Sequence, residues 1–132
     1  MSTVERLNPS GWSAHFRYDQ AQVRPAPARV LTVAGQTALD AQAGVRHPDD
    51  AAAQLPLAVA AVSELLALAG MGWEDVVSLT VHTTDVDAVL GAYSALTDVL
   101  DAAGATPPAT LVGVTRLAVP GLAVEVSATA GR

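Results

Sequence analysis

The sequence predicts an α+β fold, a mixed β-sheet with two helices packed on one of its faces, formed by a single domain over residues 1–132. Three observations lead there. The apolar residues change period along the chain, from β-branched runs to helical spacing and back, so strands and helices interleave. Only two segments have helical length, and two helices can cover one face of a sheet but not both. The composition is 51% hydrophobic and 15% charged over 132 residues, a globular balance with enough chain for one core and too little for two. No internal repeat and no separating linker is present.

The elements follow in order. "HFRYDQAQVR" (15–24) reads as an N-terminal strand. "RVLTVAGQTAL" (29–39) is rich in β-branched residues and runs into the turn-like "DAQAG", the mark of a second strand. Val30 and Ala34 fall on one of its faces and Leu31 and Val33 on the other, the pattern of a strand covered on both sides. "HPDDAAAQLPLAVAAVSELLALAG" (47–70) is the first helix. Asp49 or Asp50 caps its start, Leu55, Val59, Val62 and Leu66 form its core stripe, and Gly70 suits a left-handed stop. Pro56 removes one backbone bond. It leaves two readings, one bent helix or a start near Pro56. Strand character returns at 74–86. "DAVLGAYSALTDVLDAAG" (87–104) is the second helix, capped by Asp85 or Asp87, with the stripe Val89, Tyr93, Leu96 and Leu100 and a stop at Gly104. After the break "ATPP", two strands, 109–119 and 122–130, are joined at Pro120 and Gly121 as a hairpin. The order is β-β-α-β-α-β-β.

Several function classes are disfavoured. The net charge of −6 argues against a nucleic-acid partner and against an anionic membrane surface. The absence of cysteine removes disulfides, thiolate metal sites and cysteine nucleophiles. His15 and His47 have no partner at metal-ligand spacing, so no metal site is expected. No glycine-rich phosphate loop and no G-x-S-x-G elbow occurs. "MSTVERLNPSGW" lacks the apolar core of a signal peptide, and "LPLAVAAVSELLALAG", interrupted by Glu64, is read as too short to cross a bilayer. A soluble, cytoplasmic protein is the expectation.

One residue resists a purely structural reading. Glu125 sits inside the apolar run "LAVEVSATA". Strand alternation places Leu122, Val124, Val126, Ala128 and Ala130 in one row, towards the helices, and Ala123, Glu125, Ser127 and Thr129 in the other. The second row belongs to a half-apolar sheet face that the helices cannot cover, a candidate subunit interface. Glu125 is then either a solvated carboxylate, free or paired with Arg116, or a group at a seam between chains. His82, among Ser78, Thr80 and Thr84, reads as part of a half-exposed polar row. Tyr18 and Asp19 read as a hydrogen-bonded strand end, and Gly35 as a bend or bulge.

Three stretches, "VLTVAGQTALDAQAG", "AAQLPLAVAAVSELLALAGMGWEDVVSLTVHTTDVDAVLGAYSAL" and "PPATLVGVTRLAVPGLAVEVSATA", together resemble the Rid family (YjgF/YER057c/UK114 proteins) from about residue 29 to 130. The resemblance implies a chorismate-mutase-like fold and a homotrimer with a cleft at each subunit interface. It also implies a small-molecule substrate, in the best-studied branch a 2-imino or 2-enamino acid hydrolysed to a 2-keto acid and ammonia, with no metal or organic cofactor. Glu125 falls where that branch has a water-positioning glutamate, Tyr18 matches its N-terminal tyrosine, and Gly35 matches the glycine at the cleft edge.

One position departs from the pattern. The branch clamps the substrate carboxylate with an arginine after "P-A" of the penultimate strand, where a planar guanidinium offers a bidentate fork. Aligned through "GVTRL", that position is Ala109, followed by Thr110 and Leu111 in the substrate-binding set. Ala109 argues against ordinary 2-imino acid deamination and for a substrate that lacks a carboxylate or anchors it elsewhere. Arg17, Arg24 and Arg29 are the N-terminal arginines available as substitutes. The resemblance thus implies an imine or enamine hydrolase with Glu125 as general base, or alternatively a non-catalytic small-molecule-binding or pathway-accessory trimer.

Overall fold

The computed structural model describes residues 3–132. Its main sheet has four strands in the spatial order β3-β6-β4-β5, built from β3 (Val30–Gln36), β4 (Val76–Thr83), β5 (Ala109–Gly113) and β6 (Val124–Gly131). β6 runs antiparallel to both neighbours, while β4 and β5 are parallel. The last strand is therefore inserted between β3 and β4, and the expected hairpin of 109–119 with 122–130 does not form. The Pro120–Gly121 turn reverses the chain without pairing the flanking segments. The burial pattern explains the choice. In β6 every second residue, Val124, Val126, Ala128 and Ala130, is buried, the signature of a central strand, whereas β5 is only partly covered and lies at the edge.

α1 (Ala51–Leu68) starts at Asp50, whose carboxylate accepts from the Ala53 amide at 3.0 Å. It runs through Pro56 as one helix, so a start near Pro56 is not what occurs. Leu55, Val59, Val62 and Leu66 are all buried as expected. Each contributes about 1.5–3 kcal/mol of burial. α1 is 18 residues long with a mean hydropathy of 1.7, enough by length and composition to cross a membrane, contrary to the sequence expectation; it packs instead as a core helix on β3 and β6.

The second predicted helix is two: α2 (Val86–Gly91) and α3 (Ser94–Ala103). Gly91, a poor helix former, precedes the break. Asp85 caps α2 through the Ala88 amide. α1 and α3 end alike: Gly70 and Gly104 adopt positive φ, and Met71 and Ala105 donate back to Leu66 and Leu100, which satisfies carbonyls the helices would otherwise leave open.

The helices cover one sheet face. The other carries Thr32, Ser78, Thr80, Thr110, Ser127 and Thr129 beside Val30, Ala34 and Val112, so it is richer in hydroxyls and less apolar than expected. β3 is covered on the Leu31 and Val33 side only; Val30 is 64% exposed. β3 also stops at Gln36, short of Leu39.

The N-terminal arm departs most from expectation. Residues 15–24 are not one strand. Trp12–Phe16 forms a short 3-10 helix, and β2 (Ala21–Val23) pairs with β1 (Glu5–Leu7) in a separate two-stranded sheet.

Candidate functional site

The open face of the sheet holds Glu125 and His82 opposite one another on β6 and β4, so both side chains project from the same side. Both are half-buried. Among the described residues Glu125 has no hydrogen bond and no ion pair, and it does not pair with Arg116. Its carboxylate lies over Gly35. There the ladder between β3 and β6 is irregular between Val33 and Gln36, the bulge expected of this glycine. A Cβ at position 35 would lie 2.5 Å from Glu125 Cγ and closer still to the carboxylate, so only glycine leaves this space. His82 Nδ1 is buried without a partner.

The approach to Glu125 is held by two buried polar side chains that sequence reasoning missed. Gln54 accepts from the Ala123 amide at 2.8 Å and donates to the carbonyls of His47 and Gly121 at 2.8 and 2.9 Å. Thr83 Oγ1 donates to the Ala123 carbonyl at 2.7 Å. Two residues before Glu125, the backbone is thus fixed on both its polar groups. Gln54 sits in an apolar helical run, and its burial depends on a loop nearly seventy residues away that no local pattern brings to it.

The remaining resemblance-derived residues gather elsewhere. Tyr18, Ala109, Thr110 and Leu111 border a pocket of about 420 Å³ at the β5 edge. Phe16, Leu90 and Tyr93 complete its wall. Phe16 and Tyr93 meet edge to face with ring centroids 6.0 Å apart. Burial pushes the Tyr93 phenol above its ordinary pKa, and the nearby Tyr18 adds to the shift. Among the described residues, no charged side chain lines this pocket.

Tyr18 is set in place by its neighbour Asp19, 1% exposed, which is the hydrogen-bonded position expected. Its carboxylate accepts from Arg6 Nε at 2.9 Å, Asn8 Nδ2 at 2.8 Å, Gln22 Nε2 at 2.9 Å and Thr106 Oγ1 at 2.8 Å. Burial alone would raise the pKa of this carboxyl. The bonds from Arg6, Gln22, Asn8 and Thr106 outweigh it and hold the group well below the usual carboxylate range. The Asp19 amide also donates to the Thr106 carbonyl at 2.9 Å. The arm is therefore tied to the loop that enters β5, and Tyr18 is brought to Ala109.

None of the candidate arginines reaches the pocket. Arg17 bonds Asp101 at 2.6 Å, Arg24 the carbonyls of Glu74 and Val76, and Arg29 the carbonyl of Ala69. Along the sheet, Glu125 is opposite His82, His82 is level with Val112, and Thr110 lies two residues farther. Glu125 and Thr110 are thus about 12 Å apart at their α-carbons. The site residues form two groups within one chain, Glu125 with Gly35 and Tyr18 with Ala109, Thr110 and Leu111.

The Endoribonuclease L-PSP family model matches residues 10–131. The chain belongs to this family, the Rid or YjgF/YER057c/UK114 proteins. The Rid protein YyfB from Yersinia pestis, a solved structure of unknown function, is 31% identical, with 98% of each chain covered and a TM-score of 0.82. Rv2704 from Mycobacterium tuberculosis is 27% identical over 98% of this chain and 100% of its own, with a TM-score of 0.59. The YjgF gene product of E. coli is 26% identical over 87% of both chains, with a TM-score of 0.68. No curated protein matches this Rid chain significantly. Membership fits the observed YjgF-type fold and supports a role in small-molecule processing.

Proposed function

We propose that this Rid protein, as one domain over residues 1–132, hydrolyses a small imine, enamine or related reactive intermediate in a cleft between the subunits of a homotrimer. Glu125 is the general base. The observation that carries the reading is its carboxylate, half-buried, unpaired among the described residues and seated over Gly35. With the imine nitrogen protonated at the outset, Glu125 takes a proton from water as the water oxygen bonds to the C=N carbon, which gives the neutral carbinolamine. The proton held by Glu125 then passes to the nitrogen as the C–N bond breaks, the hydroxyl proton is released to water, and the carbonyl product and ammonia or amine leave. Atoms balance without a cofactor.

The substrate is neutral and apolar at the end that meets Ala109. That pocket, walled by Phe16, Tyr18 and Tyr93, offers ring contacts and, among the described residues, no cation. Ordinary 2-imino acids would lose their charged anchor there. The acidic chain, at −6, is equally ill-suited to RNA, despite the family model's description.

The test is direct. Freshly generated imines, with and without a carboxylate, are mixed with the protein, and release of ammonia or carbonyl product is followed. Acceleration over buffer that is lost in Glu125→Ala supports the reading. Equal rates with and without protein for every imine would end it. The uncharged pocket favours a second reading, a binding or pathway-accessory trimer without chemistry, whose sign is thermal stabilisation by a ligand with no turnover.

A further inference from the structure

We infer that His82 is a second proton-transfer group of the site, working across the sheet from Glu125. The inference rests on the hydrolytic reading above and assigns a residue that reading leaves unused. Four observations carry it. His82 and Glu125 are direct register partners on β4 and β6, on the open face. His82 Nδ1 is buried with no hydrogen-bond partner, which is costly for a group with no task. The Glu125 carboxylate leans over Gly35 towards β3, away from the imidazole, and the two make no ion pair. The two groups therefore do not neutralise one another. The strand neighbours of His82 on that face are uncharged, Val112 on β5 and Thr80 on β4; past the strand end, Thr84 borders a pocket that also holds Arg116 and Asp49.

Imine hydrolysis needs two proton movements. As water attacks carbon and gives its proton to Glu125, the nitrogen must gain one; protonated His82 supplies it. The neutral carbinolamine then forms. On collapse His82 takes the hydroxyl proton, Glu125 returns its proton to the nitrogen, the C–N bond breaks, and carbonyl and ammonia leave. Both side chains end as they began, and no further reactant is required.

The experiment compares wild type, His82→Phe, His82→Asn and Glu125→Gln, using a freshly generated neutral aryl ketimine as probe. Sedimentation and thermal melts confirm that each variant keeps its fold and assembly. Two substitutions are used because phenylalanine keeps the ring shape, whereas asparagine keeps a polar atom near Nδ1. Wild-type kcat/KM falls on both sides of its pH optimum. His82→Phe and His82→Asn lower kcat by about 100-fold or more, a usual contribution of a positioned acid or base. They also flatten the alkaline limb of the profile. In ¹⁵N NMR, the distribution of the ring proton between Nδ1 and Nε2 changes in Glu125→Gln. Folded His82 variants that keep the wild-type rate and both limbs overturn the inference, as does a tautomer distribution unmoved by Glu125→Gln. A wild type inactive on every imine overturns the hydrolytic reading itself, a distinguishable result that takes the role of His82 with it.

Discussion

Gly35→Ala is the sharpest test of the site, because it touches the carboxylate without removing it. The added Cβ would lie 2.5 Å from Glu125 Cγ and overlap the carboxylate itself. The obstructed atoms belong to the far end of a flexible side chain that carries no hydrogen bond among the described residues. The carboxylate therefore swings away rather than the strand moving. Its cost is that of a rotamer change, about 0.5–1.5 kcal/mol. Gly35 is not at a positive φ, so alanine adds no backbone strain. Stability by urea denaturation should fall by no more than about 1.5 kcal/mol. Catalysis is different. A base displaced from its seat loses most of its effect, about 10²–10⁴-fold in kcat/KM. The double variant Gly35→Ala, Glu125→Gln should be no worse than Glu125→Gln alone, since both act through one group. Full activity in Gly35→Ala, or additive losses in the double variant, would refute the assignment of Glu125 as base.

Other consequences are measurable on the same protein. Ala109→Arg places a guanidinium in the uncharged pocket. The ratio of affinities for phenylpyruvate over phenylacetone, read by tryptophan fluorescence, should rise about tenfold or more, the scale of one hydrogen-bonded charge; an unchanged ratio would mean that Ala109 does not face the ligand. Asp19→Asn removes the charge that four donors converge on and should cost about 3 kcal/mol at neutral pH. Because the folded carboxyl titrates below the unfolded one, that stability is present above the unfolded value of about 4 and is lost as pH falls towards the folded value. Wild type and Asp19→Asn should therefore converge in denaturant midpoint between about pH 5 and pH 2, and a constant gap would contradict the linkage. Gln54→Leu strands the Ala123 amide and two carbonyls and should lower stability by about 2–4 kcal/mol. Sedimentation velocity at micromolar concentration should give a trimer; a monomer would remove the shared cleft.

Much of the architecture was legible because it rests on local chemistry. The α1 stripe, its Asp50 cap and the glycine stops of α1 and α3 each follow from side chains within a turn of where they act. So does the alternation in β6, which by period alone puts Glu125 on the face opposite the buried row. What escaped was non-local. Whether β6 pairs with β5 or slides between β3 and β4 depends on strands nearly a hundred residues apart, and a turn signal at Pro120 and Gly121 carries no information about that. The arm was misread for a similar reason. Its conformation is dictated by Asp19 bonding to Thr106, a partner far along the chain, rather than by the apolar pattern of 15–24. His82 looked like one polar residue in a row of them. Only the register, with Glu125 opposite and Nδ1 unsatisfied, separates it from its neighbours.

The same topology bears on why the proposed catalyst needs more than one copy of the chain. A reacting pair must approach to about 3–3.5 Å. Glu125 and the Thr110 end of the pocket are about 12 Å apart at their α-carbons by strand count, and the carboxylate leans farther off, towards Gly35. A small imine seated between Tyr18 and Ala109 cannot reach the base of its own chain. Closing that gap within one protomer would require β5 and β6 to be adjacent, and β4 lies between them. The Tyr18 half is carried by an arm pinned through Asp19, and the Glu125 half by the strand pinned through Gln54 and Thr83, so neither swings across. On the hydrolytic reading, a neighbouring copy must bring its pocket over this carboxylate, and the hydroxyl-rich open face is the surface against which it would sit.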